Sequence, residues 1–559
     1  MYQQRPWLKH YDPGVPTSIP YPPEPLYRLL ENAADEYGGN PAISFYGLLL
    51  TYSELDRLAN RFANGLLRFG IQQGDRIALL LPNLPQVLIA YYGALKIGAI
   101  AVLASPLYLE AELEHQLQDC SPRGLVSLDS LYPRVEAVRQ RLSLEWTLIT
   151  SVQDYLPAPL TWLYPLQELI EGRRVRLRLI PPLYRWQEWL DQQEETRPEA
   201  QVGPGDPAMI QYTGGTTGVA KGAVLTHANL VANTLQCRYW ARGYEPGKEV
   251  MLGALPFFHV YGMTVAMNLS VALAALDVLV PRFKTKEVLQ LIQKHRVTSF
   301  PGVQLMYQAI NRYPKTSSYD LSSIKVCISG AGPLRPEVQK EFESHMSGKL
   351  VEGYGLSEAS PVTHCNPLQG VRVEGSIGLP FPDVEARIVD PETGKVDLPV
   401  GQAGELVVRG PQVMRGFWNR PEETRAVLRD GWLLTGDIAL MDKMGFFFVV
   451  DRKKDLIKSR GENVFPSDVE DALLRCPAVQ DAVVVGLPDT VLGERIKAFV
   501  VLAPGAETSP AELLESCSQR LPRYAVPGEI EFRKELPKGL IGKVLRRVLR
   551  EEEASKQPV

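Results

Sequence analysis

The chain has 559 residues, of which 45% are hydrophobic, and its formal net charge is −4 at pH 7. That length allows several domains or subdomains with large cores, and a charge so close to zero gives no global field that would attract nucleic acid. The cysteines lack C-x-x-C spacing, which argues against a disulfide framework or a zinc site, and we expect them to be reduced and mostly buried. They are Cys120, Cys237, Cys327, Cys365, Cys476 and Cys517.

The sequence gives no sign of secretion or of a membrane span. The first residues, MYQQRPWLKHYDPG, contain no apolar core of a signal peptide. The most apolar windows, Ile77 to Leu107 and Val265 to Val280, are interrupted by prolines and polar residues, so neither offers the ~20 clean residues that a spanning helix needs. A cytoplasmic protein is therefore expected.

Strand-like and helical segments alternate from the N-terminus to about residue 450, which predicts α/β layering. Short strands at Ile43 to Tyr46 and Leu48 to Tyr52 are expected to turn at Gly47. A helix is predicted from Ser53, as its N-cap, to Phe69, because leucines and a phenylalanine recur at helical spacing and Gly70 follows. Ile77 to Leu81 reads as a buried strand.

Residues 145–200 have a different composition. They combine aromatic residues such as Trp162, Tyr164 and Trp186 with leucines, repeated prolines and a cluster of arginines. The arginines are Arg173, Arg174, Arg176 and Arg178. A basic segment flanked by aromatic residues could lie on an anionic membrane surface. The alternative, a surface excursion packed on the first subdomain, is the favoured one.

The stretch Tyr212 to Gly222, YTGGTTGVAKG, follows a predicted strand at Ala208 to Tyr212. Glycines let successive backbone N–H groups form an anion-binding concavity, while Thr213, Thr216 and Thr217 add hydroxyls and Lys221 adds a cation. A polyphosphate ligand is the expected partner, and a polar turn is the alternative. A Walker A loop is excluded, because Ala220 precedes the lysine and Gly222 follows it.

Further motifs are weak signals when taken singly. In EGYGLSE, the flanking glycines would let Tyr354 lie against a planar ring, and Glu358 is an oxygen donor suited to magnesium. In the Thr435–Asp437 tripeptide TGD, the aspartate could accept two hydrogen bonds from a ribose diol or could form an Asx turn. SGAGPL, at Ser329 to Leu334, follows a predicted strand, and His259 in PFFHVYG could be a core histidine.

A domain boundary is predicted at DRKKDLIK, because five of its first six residues are charged. The predicted division is 1–450, a hinge at 451–456, and 457–559. The last part reads as a small α+β domain with strands at 482–486 and 496–502 and helices at 466–475 and 511–520. Arg452 opens the hinge with a rigid fork suited to ribose or phosphate oxygens.

These motifs together resemble those of the adenylate-forming superfamily, which contains acyl-CoA synthetases, luciferases and peptide-synthetase adenylation domains. The resemblance extends from about Glu24 to Arg550 and includes LPKGLIGKVLRRVLR near the C-terminus. The family patterns are YTSGTTGxPKG, YGxTE and TGD. The chain departs from them at three positions. Gly214 replaces the usual serine and removes a hydroxyl, and Ala220 replaces the usual proline and leaves the loop less rigid. Ser357 replaces the usual threonine and keeps its hydroxyl.

The resemblance implies a large multi-subdomain α/β N-terminal domain and a small mobile α+β C-terminal domain. It implies catalytic roles for Lys543, Glu358, Lys221 and His259. Lys543 would be a mobile lysine that bridges the carboxylate and the α-phosphate. Thr216 and Glu358 would bind the magnesium ion. The residues it places at the nucleotide and CoA are Thr213, Gly214, Gly215, Thr216, Thr217, Gly218, Lys221, Gly330, Ala331, Gly332, Gly353, Tyr354, Gly355, Ser357, Asp437, Arg452, Lys458, Gly461 and Glu462.

The implied activity is that of an acid–thiol ligase that uses ATP, Mg²⁺ and CoA. PFFHVYGMT, DRKKDL and DYLPAPLTWLYPL resemble bacterial fatty acyl-CoA synthetases, which favours a long-chain fatty acid as the substrate. The alternatives are an aryl, medium-chain or other acid, a fatty acyl-AMP ligase that serves a carrier protein, and a scaffold that has lost catalysis. A homodimer and a peripheral membrane contact are left open, and no nucleic acid partner is expected.

Overall fold

The computed structural model describes residues 2–142, 144–170, 175, 180–213, 220–460, 462–489, 492–538 and 544–556, with Gln167 and Glu168 described in their backbone only. In these residues the strands form four sheets. Two are large and mostly parallel, as the alternation of strands and helices predicted.

The first large sheet is parallel through its centre and antiparallel at both edges. In spatial order its strands are Leu379–Pro380, Val362–Cys365, Lys349–Gly355, Val326–Ser329, Ser299–Gly302, Val250–Gly253, Leu276–Leu279, Pro41–Phe45 and Leu48–Thr51. The second large sheet is parallel except for the strands that begin it. Its strands are Gly416–Phe417, Lys221–Thr226, Pro207–Thr213, Ile100–Leu103, Arg76–Leu80, Gly124–Leu128, Trp146–Thr150 and Leu183–Arg185.

Two smaller sheets follow. An antiparallel sheet contains Glu385–Val389, Gly404–Arg409, Trp432–Met441, Leu428–Arg429 and Phe447–Arg452. The C-terminal sheet contains Glu462–Val464, Ile457–Ser459, Gly493–Leu502, Val479–Asp489 and Glu529–Phe532. The C-terminal domain has its own cores, one of them around Ile457, Val484 and Val500. This confirms a large α/β domain followed by a small α+β domain.

Helices cover the faces of the sheets. The α-helices of the described residues are Arg28–Tyr37, Tyr52–Arg68, Pro85–Lys96, Glu110–Cys120, Tyr132–Arg139, Leu160–Ile170, Trp186–Leu190, His227–Trp240, Val260–Gly262, Leu269–Ala272, Thr285–His295, Gln304–Asn311, Pro336–Glu343, Pro421–Val427, Pro466–Leu474, Pro510–Ser518 and Arg546–Lys556. A π-helix, Met263–Asn268, lies between two of them, and the 3₁₀ turns are Tyr2–Gln4, Pro6–His10, Asp129–Leu131, Val152–Tyr155, Thr316–Ser318 and Ser357–Ala359.

The first predicted hairpin is confirmed, but the predicted start of the next helix was wrong. Tyr46 and Gly47 both have positive φ and turn the chain between the first two strands. The N-cap of the following helix is Thr51, not Ser53: its Oγ1 accepts a hydrogen bond from the backbone N–H of Glu54, and the Glu54 carboxylate accepts one from the N–H of Thr51. This reciprocal capping box starts the helix earlier than Ser53 would.

The favoured prediction for residues 145–200, a surface excursion packed on the first subdomain, holds in part. Trp146, Trp186 and Trp189 are buried against the first domain, as the packed alternative requires. The helix Leu160–Ile170 between them is different, because it presents several large apolar side chains to solvent. The predicted domain boundaries stay a prediction, and the predicted hinge begins inside the strand Phe447–Arg452.

The cysteines agree with their prediction, since each is free and all except the half-buried Cys476 are buried. No helix in the described part of the chain is both long enough and apolar enough to cross a membrane.

A buried lysine joins three helices of the first domain. The Lys96 side chain has no exposed surface, and its Nζ lies 2.6 Å from Glu31 Oε1 and 2.7 Å from Asp56 Oδ1. Arg197 Nε lies 3.1 Å from the other oxygen of Asp56. Buried charges are stable only when they are paired, so this cluster fixes the relative position of the helices Arg28–Tyr37, Tyr52–Arg68 and Pro85–Lys96.

We expect Lys96→Met to destabilise the first domain by about 3–5 kcal/mol, because two buried carboxylates lose their main partner. The measurement is the thermal midpoint of unfolding. Lys248→Met is the matched control, because Lys248 is mostly exposed and pairs with Glu245 on the surface, where such pairs contribute about 0–1 kcal/mol. Equal midpoints for the two variants would contradict the proposed role of the cluster.

Candidate functional site

One buried carboxylate joins residues that are far apart in the sequence. The hydroxyl of Tyr354 donates to Asp437 Oδ2 at 2.6 Å, and Arg452 Nε lies 2.6 Å from Asp437 Oδ1. Asp437 and Arg452 are register partners on neighbouring strands, whereas Tyr354 belongs to the first large sheet. The Asp437 side chain is only 2% exposed. The structure therefore brings together three residues that the sequence placed at the nucleotide.

The backbone around Tyr354 requires glycine. The strand Lys349–Gly355 ends in a bulged antiparallel pairing with Val362–Cys365. A Cβ at Gly355 would lie 2.0 Å from the carbonyl oxygen of Pro361, and a Cβ at Gly353 would lie 3.0 Å from the Ile328 side chain. These close approaches explain the glycines on either side of Tyr354.

Glu358 lies just beyond this strand, in the 3₁₀ turn Ser357–Ala359. Burial raises the pKa of its carboxyl, and the positive charges of Arg452 and Lys221 oppose this rise. Its backbone carbonyl accepts a hydrogen bond from the N–H of Met414 at 2.8 Å, which ties the turn to the segment before the third sheet. The charges of both predicted phosphate-binding cations therefore act on the Glu358 carboxylate.

The donor set fits magnesium, which proteins hold through one or two carboxylates while water and substrate phosphates complete the shell. Glu358 supplies a carboxylate, and the predicted second ligand, Thr216, lies outside the described residues. In the described ranges no group of three or more His, Cys, Asp or Glu side chains could hold a metal ion.

The glycine-rich loop joins an antiparallel hairpin. Its strands, Pro207–Thr213 and Lys221–Thr226, bring Thr213 directly opposite Lys221. Lys221 forms an ion pair with Glu423, and its Nζ lies 5.5 Å from the centroid of the Phe417 ring. The remaining predicted loop residues lie outside the described residues: Gly214, Gly215, Thr216, Thr217 and Gly218.

The turn that the family resemblance places at the nucleotide follows the strand Val326–Ser329. Gly330 packs against Tyr261, since a Cβ there would lie 2.9 Å from the ring. Ala331 has a φ of 64°, an unusual conformation for a residue with a side chain, and Gly332 is exposed. The N–H of Leu334 donates to Glu352 Oε2 at 3.1 Å, which links this turn to the Tyr354 strand.

His259 caps the short helix Val260–Gly262, because its Nδ1 accepts a hydrogen bond from the N–H of Tyr261 at 3.3 Å. Burial lowers the pKa of His259, so the ring is neutral near pH 7. The π-helix Met263–Asn268 follows at once; such segments are rare and frequently lie at functional sites.

Sequence reasoning missed the residues that hold the histidine segment in place. Asn83 Nδ2 donates to the carbonyls of Gly253 and Leu255, and its Oδ1 accepts from the N–H of Phe257. Thr264 Oγ1 donates to the carbonyl of Ser360 at 2.7 Å, which connects the π-helix to the Glu358 turn. Asn83 belongs to no motif, and Thr264 ends PFFHVYGMT without any role assigned to it there; the roles of both depend on burial, which the sequence does not give.

The remaining candidate site residues belong to the C-terminal domain. Lys458 and Glu462 are exposed and lie on adjacent strands, in which Ser459 pairs with Glu462. Gly461, between the two strands, lies outside the described residues. Lys543 is also outside them, but Lys538 and Val544 form an antiparallel bridge that closes the segment in which it lies.

The predicted hinge contacts the helix that follows this segment. Asp455 Oδ1 lies 3.1 Å from Arg550 Nη2, and Asp455 Oδ2 lies 3.6 Å from Arg546 Nη1. Arg546 also lies 2.6 Å from Glu470 Oε1. Asp455 is buried, so its charge depends on these arginines. The hinge is thereby connected to the helix Arg546–Lys556.

The class of protein that this fold and these residues define is an adenylate-forming enzyme. The chain belongs to the AMP-binding enzyme family: the model of that family matches residues 30–418, and the model of the AMP-binding enzyme C-terminal domain matches residues 468–543.

Individual relatives agree over nearly the whole chain. A long-chain-fatty-acid–CoA ligase of Bacillus subtilis (strain 168) is 46% identical, with 99% of each chain covered. Solved structures with a similar fold include ATP-bound MatB from Rhodopseudomonas palustris. Its TM-score is 0.82 and its identity 29%, and the match covers 94% of this chain and 98% of that one. They also include o-succinylbenzoate CoA synthetase from Bacillus subtilis with an acyl-adenylate intermediate, with a TM-score of 0.77, 27% identity and 95% and 98% coverage.

We expect Asp455→Ala to loosen the C-terminal helix, because Arg546 and Arg550 lose a buried partner. Amide hydrogen exchange should become faster in Arg546–Lys556, while the strand Val250–Gly253 of the first domain stays protected. Glu551→Gln is the matched control, since Glu551 pairs with Arg547 at the surface of the same helix. Unchanged exchange in Asp455→Ala would contradict the connection.

Proposed function

We propose that the protein activates a long-chain fatty acid with ATP, giving acyl-AMP and pyrophosphate, and then transfers the acyl group to CoA, giving acyl-CoA and AMP. The observation that carries the nucleotide part of this proposal is the contact of Tyr354 and Arg452 with Asp437 beside Glu358. The long-chain substrate is supported by the name of the Bacillus subtilis relative.

In this proposal Tyr354 stacks on adenine and Asp437 binds the ribose hydroxyls. The Asp437 oxygens already contact Tyr354 and Arg452, but a carboxylate has about four acceptor positions, so a diol can add to these contacts. Gly330, Ala331 and Gly332 form the wall beside the base, and Ser357 approaches the α-phosphate. Lys221 leaves Glu423 for the β- and γ-phosphates, which the glycine-rich loop surrounds.

The first half-reaction joins two anions. A carboxylate oxygen of the acid attacks the α-phosphorus, and the bond from that phosphorus to the oxygen bridging the β-phosphate breaks, releasing pyrophosphate. Magnesium, when bound at Glu358, would supply positive charge to the phosphates. Lys543 offsets the repulsion between the carboxylate and the α-phosphate, and Arg452 adds positive charge. The neutral His259 lies where the carboxylate enters.

The second half-reaction needs a different arrangement. The C-terminal domain turns at the hinge, removes Lys543 and brings Lys458, Gly461 and Glu462 to the site. The CoA thiolate sulfur attacks the acyl carbonyl carbon, and the bond from that carbon to the phosphate oxygen breaks to release AMP. One site thus serves two steps through domain movement.

The proposal places the reaction in the cytoplasm, with a homodimer and contact with the inner face of the membrane as further proposals.

The proposal predicts CoA-dependent AMP formation from ATP and magnesium that peaks between laurate and stearate in a panel running from acetate through palmitate to coumarate. A peak on an aryl or short acid would contradict the substrate while keeping the mechanism. Adenylation that releases pyrophosphate but forms no acyl-CoA would favour a carrier protein as the acceptor. Failure on every acid would contradict the function.

We expect Lys543→Ala to slow pyrophosphate release by about 100-fold or more, the effect of removing one preorganised charge from a transition state. Transfer to CoA from supplied acyl-AMP should continue near its normal rate. Lys538→Ala is the matched control, because Lys538 pairs with Asp481 at the base of the same segment. Normal pyrophosphate release with failed transfer would show that the role of Lys543 is misassigned.

A further inference from the structure

An ion-pair network lies at the base of the glycine-rich loop. Its first contact joins Lys221 to Glu423, and its second, at 3.9 Å, joins Glu423 Oε1 to Arg420 Nε. Arg420 Nη2 lies 3.0 Å from Asp119 Oδ1, and Asp119 Oδ2 accepts a hydrogen bond from the Tyr212 hydroxyl at 2.6 Å. We call these residues the loop-base network. Because Tyr212 and Lys221 lie on opposite strands of the hairpin, the network connects both ends of the loop.

The backbone holds Glu423 beside Lys221. A two-residue strand that ends at Phe417 pairs with the strand that begins at Lys221. The helix Pro421–Val427, which carries Glu423, follows a few residues later. Thr424 of this helix accepts a hydrogen bond through its Oγ1 from the N–H of Phe417 at 2.9 Å. The helix is thereby attached to the hairpin, and Glu423 meets Lys221 from a fixed position.

The contact between Lys221 and Glu423 is easily exchanged. Their side chains are 32% and 38% exposed, so water screens the attraction and the pair is weak. A triphosphate carries more negative charge than one carboxylate and competes well for the lysine. The charge of Lys221 also acts on Glu358, the candidate metal ligand. When Lys221 leaves, Glu423 still has Arg420 nearby, and Arg420 stays anchored at Asp119.

We propose that Glu423 competes with the β- and γ-phosphates for Lys221 and thereby weakens the binding of ATP and of pyrophosphate; this role rests on the proposed function. Arg420 is a positioning residue, because it shares the Glu423 carboxylate and limits how strongly Glu423 holds the lysine. Weaker binding is expressed mainly as faster dissociation. After adenylation, recapture of Lys221 by Glu423 therefore helps pyrophosphate to leave.

The first experiment is calorimetric titration of the full chain with inorganic pyrophosphate and magnesium. We expect Glu423→Gln to tighten pyrophosphate binding by about 2- to 5-fold, the range that corresponds to a partly exposed ion pair, because Lys221 loses its competing carboxylate. Glu422→Gln is the matched control and should bind as the parent protein does. Glu422 lies on the same helix, but its side chain is 84% exposed and pairs with Arg425, so the two variants change the net charge equally.

Kinetics of adenylation provide a second readout, which a purely structural role would not give. In Glu423→Gln the KM for ATP should fall by the same factor and pyrophosphate should inhibit more strongly, while kcat changes less than KM. The reason is that the lysine contact is gained in the ground state and the transition state alike. Arg420→Gln should raise the KM, since Glu423 then holds Lys221 alone. This rise should disappear in the double variant Arg420→Gln/Glu423→Gln.

Several outcomes would overturn the proposal. Pyrophosphate binding in Glu423→Gln that is unchanged or weaker would do so, as would an equal gain in Glu422→Gln. A KM increase from Arg420→Gln that persists in the double variant would show that Arg420 acts only through Asp119. The titration needs no acid. If the parent turned over no acid while Glu423→Gln still bound pyrophosphate more tightly, the proposed function would fail and the competition for Lys221 would stand. Absence of pyrophosphate binding in every variant would refute both.

Discussion

The candidate site depends on the carboxylate of Asp437. It lies on the third sheet, yet one oxygen contacts Tyr354 of the first large sheet and the other contacts Arg452 of the neighbouring strand. A buried carboxylate with few partners would be costly, and two charge-assisted contacts at 2.6 Å offset that cost. The same contacts fix the third sheet against the edge of the first. The orientation of these sheets and the shape of the candidate nucleotide site therefore have a common physical origin.

This arrangement also places the predicted hinge next to the candidate site. Arg452 is the last residue of its strand, and Asp455 follows within one turn of chain. Arg452 contacts the first domain through Asp437, while Asp455 contacts Arg546 and Arg550 of the C-terminal helix. Two ion pairs, three residues apart, thus hold the two sides of the predicted hinge, one at Arg452 and one at Asp455.

The sequence predicted most of what is local. The strand predicted at 208–212 is found at Pro207–Thr213, and the helix predicted at 466–475 is found at Pro466–Leu474, because alternating or helical apolar spacing is a property of neighbouring residues. The start of the second long helix was wrong, since Thr51 and Ser53 are both good caps and only the reciprocal contact with Glu54 decides between them.

What the sequence could not predict depends on contacts between distant segments. The motifs named Tyr354 and Asp437 separately, but their hydrogen bond joins positions 83 residues apart. Asn83 belongs to no motif and Thr264 only ends one, and the contacts of both exist only once the fold has formed. The exposed apolar side of the helix Leu160–Ile170 differs from the favoured packed alternative for 145–200, because an apolar stripe in a sequence is normally a buried one. Family resemblance supplied roles for residues, whereas burial and partners required the structure.

The charges of the described site explain why both half-reactions require components from outside it. Lys221 and Arg452 are balanced by Glu423 and Asp437, and Glu358 adds a further negative charge. A nucleoside triphosphate brings more negative charge, so this set alone opposes its binding and the approach of a carboxylate. In the proposed mechanism the additional positive charge comes from the metal and from Lys543 of the C-terminal domain. Under this proposal, a lysine on a separate domain can enter and leave, so the site is positive while two anions react and loses that charge when AMP departs.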